Sequence, residues 1–253
     1  MKPLKRFSAL LLFGWVLAWL PIGLWVGDPD FVLTSVSRNT PERELYQLFL
    51  YMVLVTIFVV SWKLLRPQGV GWGHPKIFGA YFSLGLASAG SLLWGLSLLD
   101  MVVWELVIPS PFLTAKLLIS CLLVALTEEA LFRGILLGHL SGVLGETKAA
   151  VLGSLIFAWL HLFRPGTWSF KCGYGFGLFL LAYFLSMIFY HHRSILASAG
   201  FHAGVIVLNF FLEKREFQES FWAGWSGEPL SGAVCWGLVL AWGALWLRYR
   251  TYD

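Results

Sequence analysis

Charge is scarce in this chain. Only 13% of its 253 residues are Asp, Glu, Lys or Arg and 58% are hydrophobic, where a soluble domain carries roughly a quarter charged residues. Mean hydropathy is +0.74. A soluble globular domain is excluded, and an all-α, polytopic membrane helix bundle is implied. Cysteine is scarce too. Cys121, Cys172 and Cys235 are scattered without CxxC spacing, which argues against a disulfide framework or a thiolate zinc site. Internal repeats, low-complexity tracts and domain-sized linkers are lacking, so residues 1–253 read as one integral membrane domain. The net charge of +4 then reflects basic loops rather than nucleic-acid binding. The expected surroundings are a lipid bilayer, with no nucleic-acid partner.

What the chain has in abundance is apolar runs. About eight transmembrane helices are expected, at about 7–26, 45–65, 77–99, 117–140, 148–163, 174–190, 194–212 and 230–247. The 14 Trp and 8 Tyr suit interfacial belts at the span ends. An even number of spans puts both termini on one side. Loops on that side hold ten Lys and Arg and the others seven, which favours cytoplasmic termini. The segment 213–229 is charged and aromatic and is expected at the surface. Gly134, Gly138 and Gly142 are spaced by four, a pattern that lets a second helix approach closely.

Charges inside those runs are the exception that matters. Thr127-Glu128-Glu129-Ala130-Leu131-Phe132-Arg133 lies in the middle of the fourth run. Each charge there costs roughly 2.5–3.5 kcal/mol on insertion scales, and such residues mark functional sites. Glu129 and Arg133 stand one helical turn apart and can pair. Glu128 points about 100° away and is free to face something else. His161, His202 and Asn209 add polar groups on two further spans, and Phe157 lies one turn before His161. A bundle can bring such side chains to one core site.

Carboxylate with histidines supports two chemistries. One is water activation by a general base, with neutral donors holding an oxyanion. The other is a His, His, Glu metal site. Asn209 follows His202 by two turns on nearly the same face. It is a poor metal ligand and a good oxyanion donor, which tilts the reading to acid–base hydrolysis without a cofactor; a divalent metal stays open. His74, His139, His191 and His192 fall in loops or at helix ends, outside this set. Other protease signatures fail. HExxH and GxGD do not occur. Gly224-Trp225-Ser226-Gly227 mimics a serine-protease motif, but no histidine follows it. Cys121 has apolar neighbours.

The spacing Glu128-Glu129-x-x-x-Arg133, then Phe157-x-x-x-His161, then a helix bearing His202, resembles the CPBP family, which includes CAAX prenyl endopeptidases and bacterial Abi-type membrane proteins. The resemblance covers about residues 112–212, the expected catalytic core. It implies an eight-helix glutamic intramembrane protease, in a bacterial cell membrane, acting on a membrane-anchored protein or peptide. Glu128 would activate water with His161, His202 would help hold the oxyanion, and Glu129, Arg133 and Phe157 would support the site. One departure stands out. The family's third motif places Asn or Asp four residues after the histidine, where this chain has Ile206; Asn209 would substitute. The alternative is a non-enzymatic multipass protein, with an immunity, scaffold or transport role, on the same fold.

Overall fold

The computed structural model describes residues 41–66, 70–106, 110–162, 166–208 and 211–250. The expected first span, residues 7–26, lies outside them. The described chain is a helix bundle: α1 (Pro41–Leu65), α2 (Pro75–Leu98), α3 (Pro111–Glu129), a π-helix (Ala130–Leu137), α4 (Gly138–Leu144), α5 (Glu146–Leu160), α6 (Trp168–His192), α7 (Ile195–Val207) and α8 (Ala233–Arg250). Helices α2 and α6 are long and apolar enough to cross a membrane. Leu64, Trp94, Leu98, Phe112, Ile119 and Trp159 are each more than half exposed. An apolar outer surface of this kind needs lipid or a partner to cover it.

The helix ends follow from local chemistry. Ser110 caps α3 ahead of Pro111, a residue that gives up no hydrogen bond at a first helical position. Thr167 caps α6 and Ser194 caps α7 through their side-chain oxygens. Gly145, at φ 77°, takes a positive-φ conformation that favours glycine, and this ends α4 and lets α5 start at the next residue.

Three expectations need correction. The trio Gly134, Gly138 and Gly142 does not form one continuous contact face: Gly134 packs tightly against Ile195 and Trp62, but a Cβ on Gly142 would meet nothing within 4 Å. Close approach occurs instead between α2 and α7. A Cβ on Gly85 would strike the Phe201 carbonyl, and one on Gly200 or Gly204 the carbonyls of Phe78 or Phe82. The seventh span is shorter than expected, since α7 ends at Val207. The segment beyond it does not lie wholly on the surface. Leu212–Phe217 forms a strand, β2, paired antiparallel with β1 (Val102–Leu106), with a bulge between Val103 and Trp104. Ala223, Pro229 and Ser231 are buried, because the 3-10 turn Pro229–Ser231 presses on α6 where Gly173 and Gly177 leave room for its backbone. The pairing and the segment before the turn meet where Leu96, Val102 and Ala223 pack together.

Candidate active site

The sequence from Ser110 to Leu144 runs as one long helix with a change of pitch inside it. The α-helical hydrogen bonding of α3 ends at Glu129, and Ala130–Leu137 continues as a π-helix. All eight of its residues are buried. Wide turns of this kind are rare and recur at functional sites. Thr127, just before the glutamates, returns its hydroxyl to the Leu123 carbonyl at 2.6 Å, so it adds no unsatisfied donor to the interior.

The two glutamates diverge as successive helical residues must. Glu129 points into the protein and is fully buried. Its Oε1 accepts from Arg133 Nη1 at 2.9 Å and from His202 Nδ1 at 2.9 Å. Arg133 is 2% exposed. Its Nη2 donates to the Ala182 carbonyl on α6 at 2.9 Å, and its guanidinium lies 5.1 Å from the centre of the Phe157 ring. One ion pair therefore ties α3, the π-helix, α6 and α7 together. A carboxylate oxygen can only accept, so His202 Nδ1 carries the proton in this bond. Nε2 is the ring nitrogen left for the cavity that His202 lines.

Glu128 points the other way, toward His161. Their closest atoms, Oε1 and Nε2, are 3.9 Å apart, with the side chains 17% and 30% exposed. That gap is too long for a direct hydrogen bond, and at such separations a water commonly bridges. His161 sits just past the C-terminus of α5. Its Nδ1 donates to the Phe157 carbonyl at 2.7 Å, so in the neutral ring Nε2 carries a lone pair toward Glu128. Phe157 is the hub of this region. It meets Phe132 edge-on at 4.9 Å, His161 at 4.4 Å and His202 at 6.4 Å.

Glu128, Phe157, His161 and His202 line a cavity of about 590 Å³. Most of its remaining wall is apolar, from Leu92 and Leu93 on α2, Leu181 and Phe184 on α6 and Trp242 on α8. Ile206 also lines it. Asn209, expected to supply an oxyanion donor, lies outside the described residues. Among the described residues no three His, Cys, Asp or Glu side chains stand together as a metal-binding group.

Residues 110–208 match the family model described as Rce1-like, type II CAAX prenyl endopeptidase Rce1-like. The chain carries a CPBP-family domain. This domain begins at the Ser110 cap of α3 and ends just past α7. It includes Glu128, Glu129, Arg133, Phe157, His161 and His202; Asn209 falls one residue beyond it. The family supports a protease role in a membrane, and the two long apolar helices fit that setting. No curated protein matches the chain.

The other histidines and the serine motif of the sequence sit apart from this cavity. His74 caps α2 by accepting from the Lys76 amide, His139 donates to the Leu65 carbonyl at 2.7 Å, and His192 meets the Tyr81 hydroxyl at 2.6 Å beside His191. None of the four lines the cavity. Ser226, the serine of the mimic motif, is exposed in a turn. Sequence reasoning missed the wall residues outside the family match, Tyr51 on α1 and Glu228 before the 3-10 turn among them. Neither has a spacing relation to the glutamate motif that could have pointed to it.

Proposed function

We propose that the protein is an intramembrane endopeptidase that hydrolyses peptide bonds of membrane-embedded or lipid-anchored substrates with water activated by Glu128. The observation that carries this reading is the 3.9 Å gap between Glu128 Oε1 and His161 Nε2 at the wall of the cavity. Two acceptors so placed suit one water, whose two protons they would share, leaving its lone pair for attack. Glu128 takes a proton as the water oxygen bonds to the substrate carbonyl carbon. In its imidazolium form His202 donates Nε2–H to the oxyanion, while Nδ1–H stays with Glu129. As the tetrahedral adduct collapses, the C–N bond breaks and the proton on Glu128 passes to the leaving amine. The products are a carboxylic acid and an amine, which end as carboxylate and ammonium once the acid's proton passes to the amine, with the enzyme restored.

Glu129, Arg133 and Phe157 act in this scheme by holding His202 and His161 in place. No cofactor takes part. The bundle crosses the bilayer eight times in this reading, with both termini in the cytoplasm. The cavity then gives a membrane-anchored peptide a dry, apolar path to the water. Ile206 favours one second reading, a non-enzymatic multipass protein on this fold, because it puts a hydrocarbon side chain where an oxyanion donor would serve. The test is cleavage of membrane-anchored reporter peptides by wild type and Glu128→Gln in matched detergent, with and without a strong chelator. The proposal expects cleavage that Glu128→Gln abolishes and chelation spares. Loss on chelation would instead point to a His and Glu metal site.

A further inference from the structure

Glu129 uses only half of its carboxylate. Oε1 accepts both from Arg133 Nη1 and from His202 Nδ1. Oε2 is buried and has no hydrogen-bond partner among the described residues. An ionised carboxylate has about four acceptor sites, and a buried charged oxygen left unmet costs more than a neutral one. A serine on α7 stands ready to meet it. Ser198 precedes His202 by four residues on that helix, one turn, so the two side chains share a face. Ser198 is fully buried, and its side chain is within reach of the Glu129 carboxylate. Its turn of helix is held firmly: Ser194 caps α7, and Ile195 packs against Gly134 of the π-helix that follows Glu129. Ser198 Oγ donates to the Ile195 carbonyl at 3.1 Å. That carbonyl lies in the first turn of α7, where the helix also uses it for the Ala199 amide. The hydroxyl can therefore leave it without stranding an acceptor.

We propose that Ser198 is a positioning residue: its hydroxyl turns from the Ile195 carbonyl to Glu129 Oε2 and fixes the plane of that carboxylate. With one oxygen held, the other is free to swing about the last side-chain bond. With both held, Oε1 stays on His202 Nδ1, and the Nε2 edge of the ring stays toward the cavity. A site needs this kind of support behind the groups that meet substrate. Ser198 does not line the cavity, so it acts through Glu129 and His202. The inference rests on the protease reading for the role of His202, but the hydrogen bond itself does not depend on that reading.

The bond is tested by equilibrium unfolding of the full chain in mixed micelles, which needs no turnover. Ser198→Ala is compared in the wild-type and Glu129→Gln backgrounds. Ser88→Ala serves as the reference, because Ser88 is buried and donates to the Leu84 carbonyl of its own helix at 2.8 Å. Hydrogen bonds to charged groups contribute more than those between neutral groups. Ser198→Ala should therefore lower the folding constant by about threefold or more beyond its effect in Glu129→Gln. Ser88→Ala should act alike in both backgrounds, to within about twofold. Equal effects of Ser198→Ala in the two backgrounds would overturn the inference. Infrared spectra of the folded protein give a second reading that does not need Glu129→Gln. A carboxylate stretching band, identified by labelling glutamate with 13C, should move in Ser198→Ala and not in Ser88→Ala; an unmoved band would also overturn it. On a reporter that wild type cleaves, Ser198→Ala should lower kcat about tenfold with KM little changed, and Ser198→Thr, which keeps the hydroxyl, should recover most of the loss. Wild-type kcat in Ser198→Ala would refute the positioning role. Coupling in the unfolding cycle with no reporter cleaved by wild type would end the protease reading and leave the Ser198–Glu129 bond standing.

Discussion

Removing Arg133 tests whether the buried ion pair is the clamp that the structure describes. In Arg133→Leu the guanidinium bonds to Glu129 Oε1 and to the Ala182 carbonyl, each 2.9 Å, disappear together with the face contact on Phe157. What remains is a fully buried carboxylate without the arginine's charge. Breaking a buried pair by deleting one partner costs about 3–5 kcal/mol. Glu129→Gln strands the cation instead and should cost a similar amount. The double variant strands neither charge. Its glutamine can still accept from His202 Nδ1, so it should be more stable than the sum of the single losses by about 2 kcal/mol or more. Equilibrium unfolding in mixed micelles, followed through the 14 tryptophans, gives all four corners of the cycle. Single losses that simply add, to within about 0.5 kcal/mol, would mean that the two residues are not coupled and that the clamp is wrong.

The α2–α7 crossing and the oxyanion side of the cavity carry two more tests. Gly204→Ala places a Cβ against the Phe82 carbonyl and should destabilise by about 1–3 kcal/mol. Gly142→Ala meets open space and should be neutral or gain up to about 1 kcal/mol; equal effects in the same unfolding assay would refute the packing argument. Ile206→Asn adds an amide to the cavity wall and should raise kcat against a membrane-anchored reporter with little change in KM, since a donor to the oxyanion acts in the transition state. A rise confined to binding would point elsewhere.

Much of the site was legible because a bilayer makes charge conspicuous. Glu128, Glu129 and Arg133 are costly in an apolar run, and their spacing alone predicts one pair and one free carboxylate. The structure has that arrangement, with Glu129 bonded to Arg133 and Glu128 turned to the cavity. The partner of His202 was not legible, because spacing cannot say which glutamate a distant helix will meet. The π-helix Ala130–Leu137 left no mark either, since its residues are ordinary helix formers and the wider turn is set by packing around them. The glycine face held at Gly134 and not at Gly142 for a related reason. Four-residue spacing shows where a helix could approach, while Gly85, Gly200 and Gly204 show where one does. The ribbon of Val102–Leu106 with Leu212–Phe217 joins segments more than a hundred residues apart, beyond any local pattern.

The central claim is that Glu128 and His161 act as a unit on one water. A kinetic cycle on a reporter cleaved by wild type, comparing Glu128→Gln, His161→Asn and the double variant, measures that directly. Residues that share a single step are strongly non-additive. The double variant should therefore be slower than the worse single variant by less than about tenfold in kcat/KM. Losses that multiply would show that the two side chains act separately, and Glu128→Gln activity close to wild type would remove the glutamate from the chemistry.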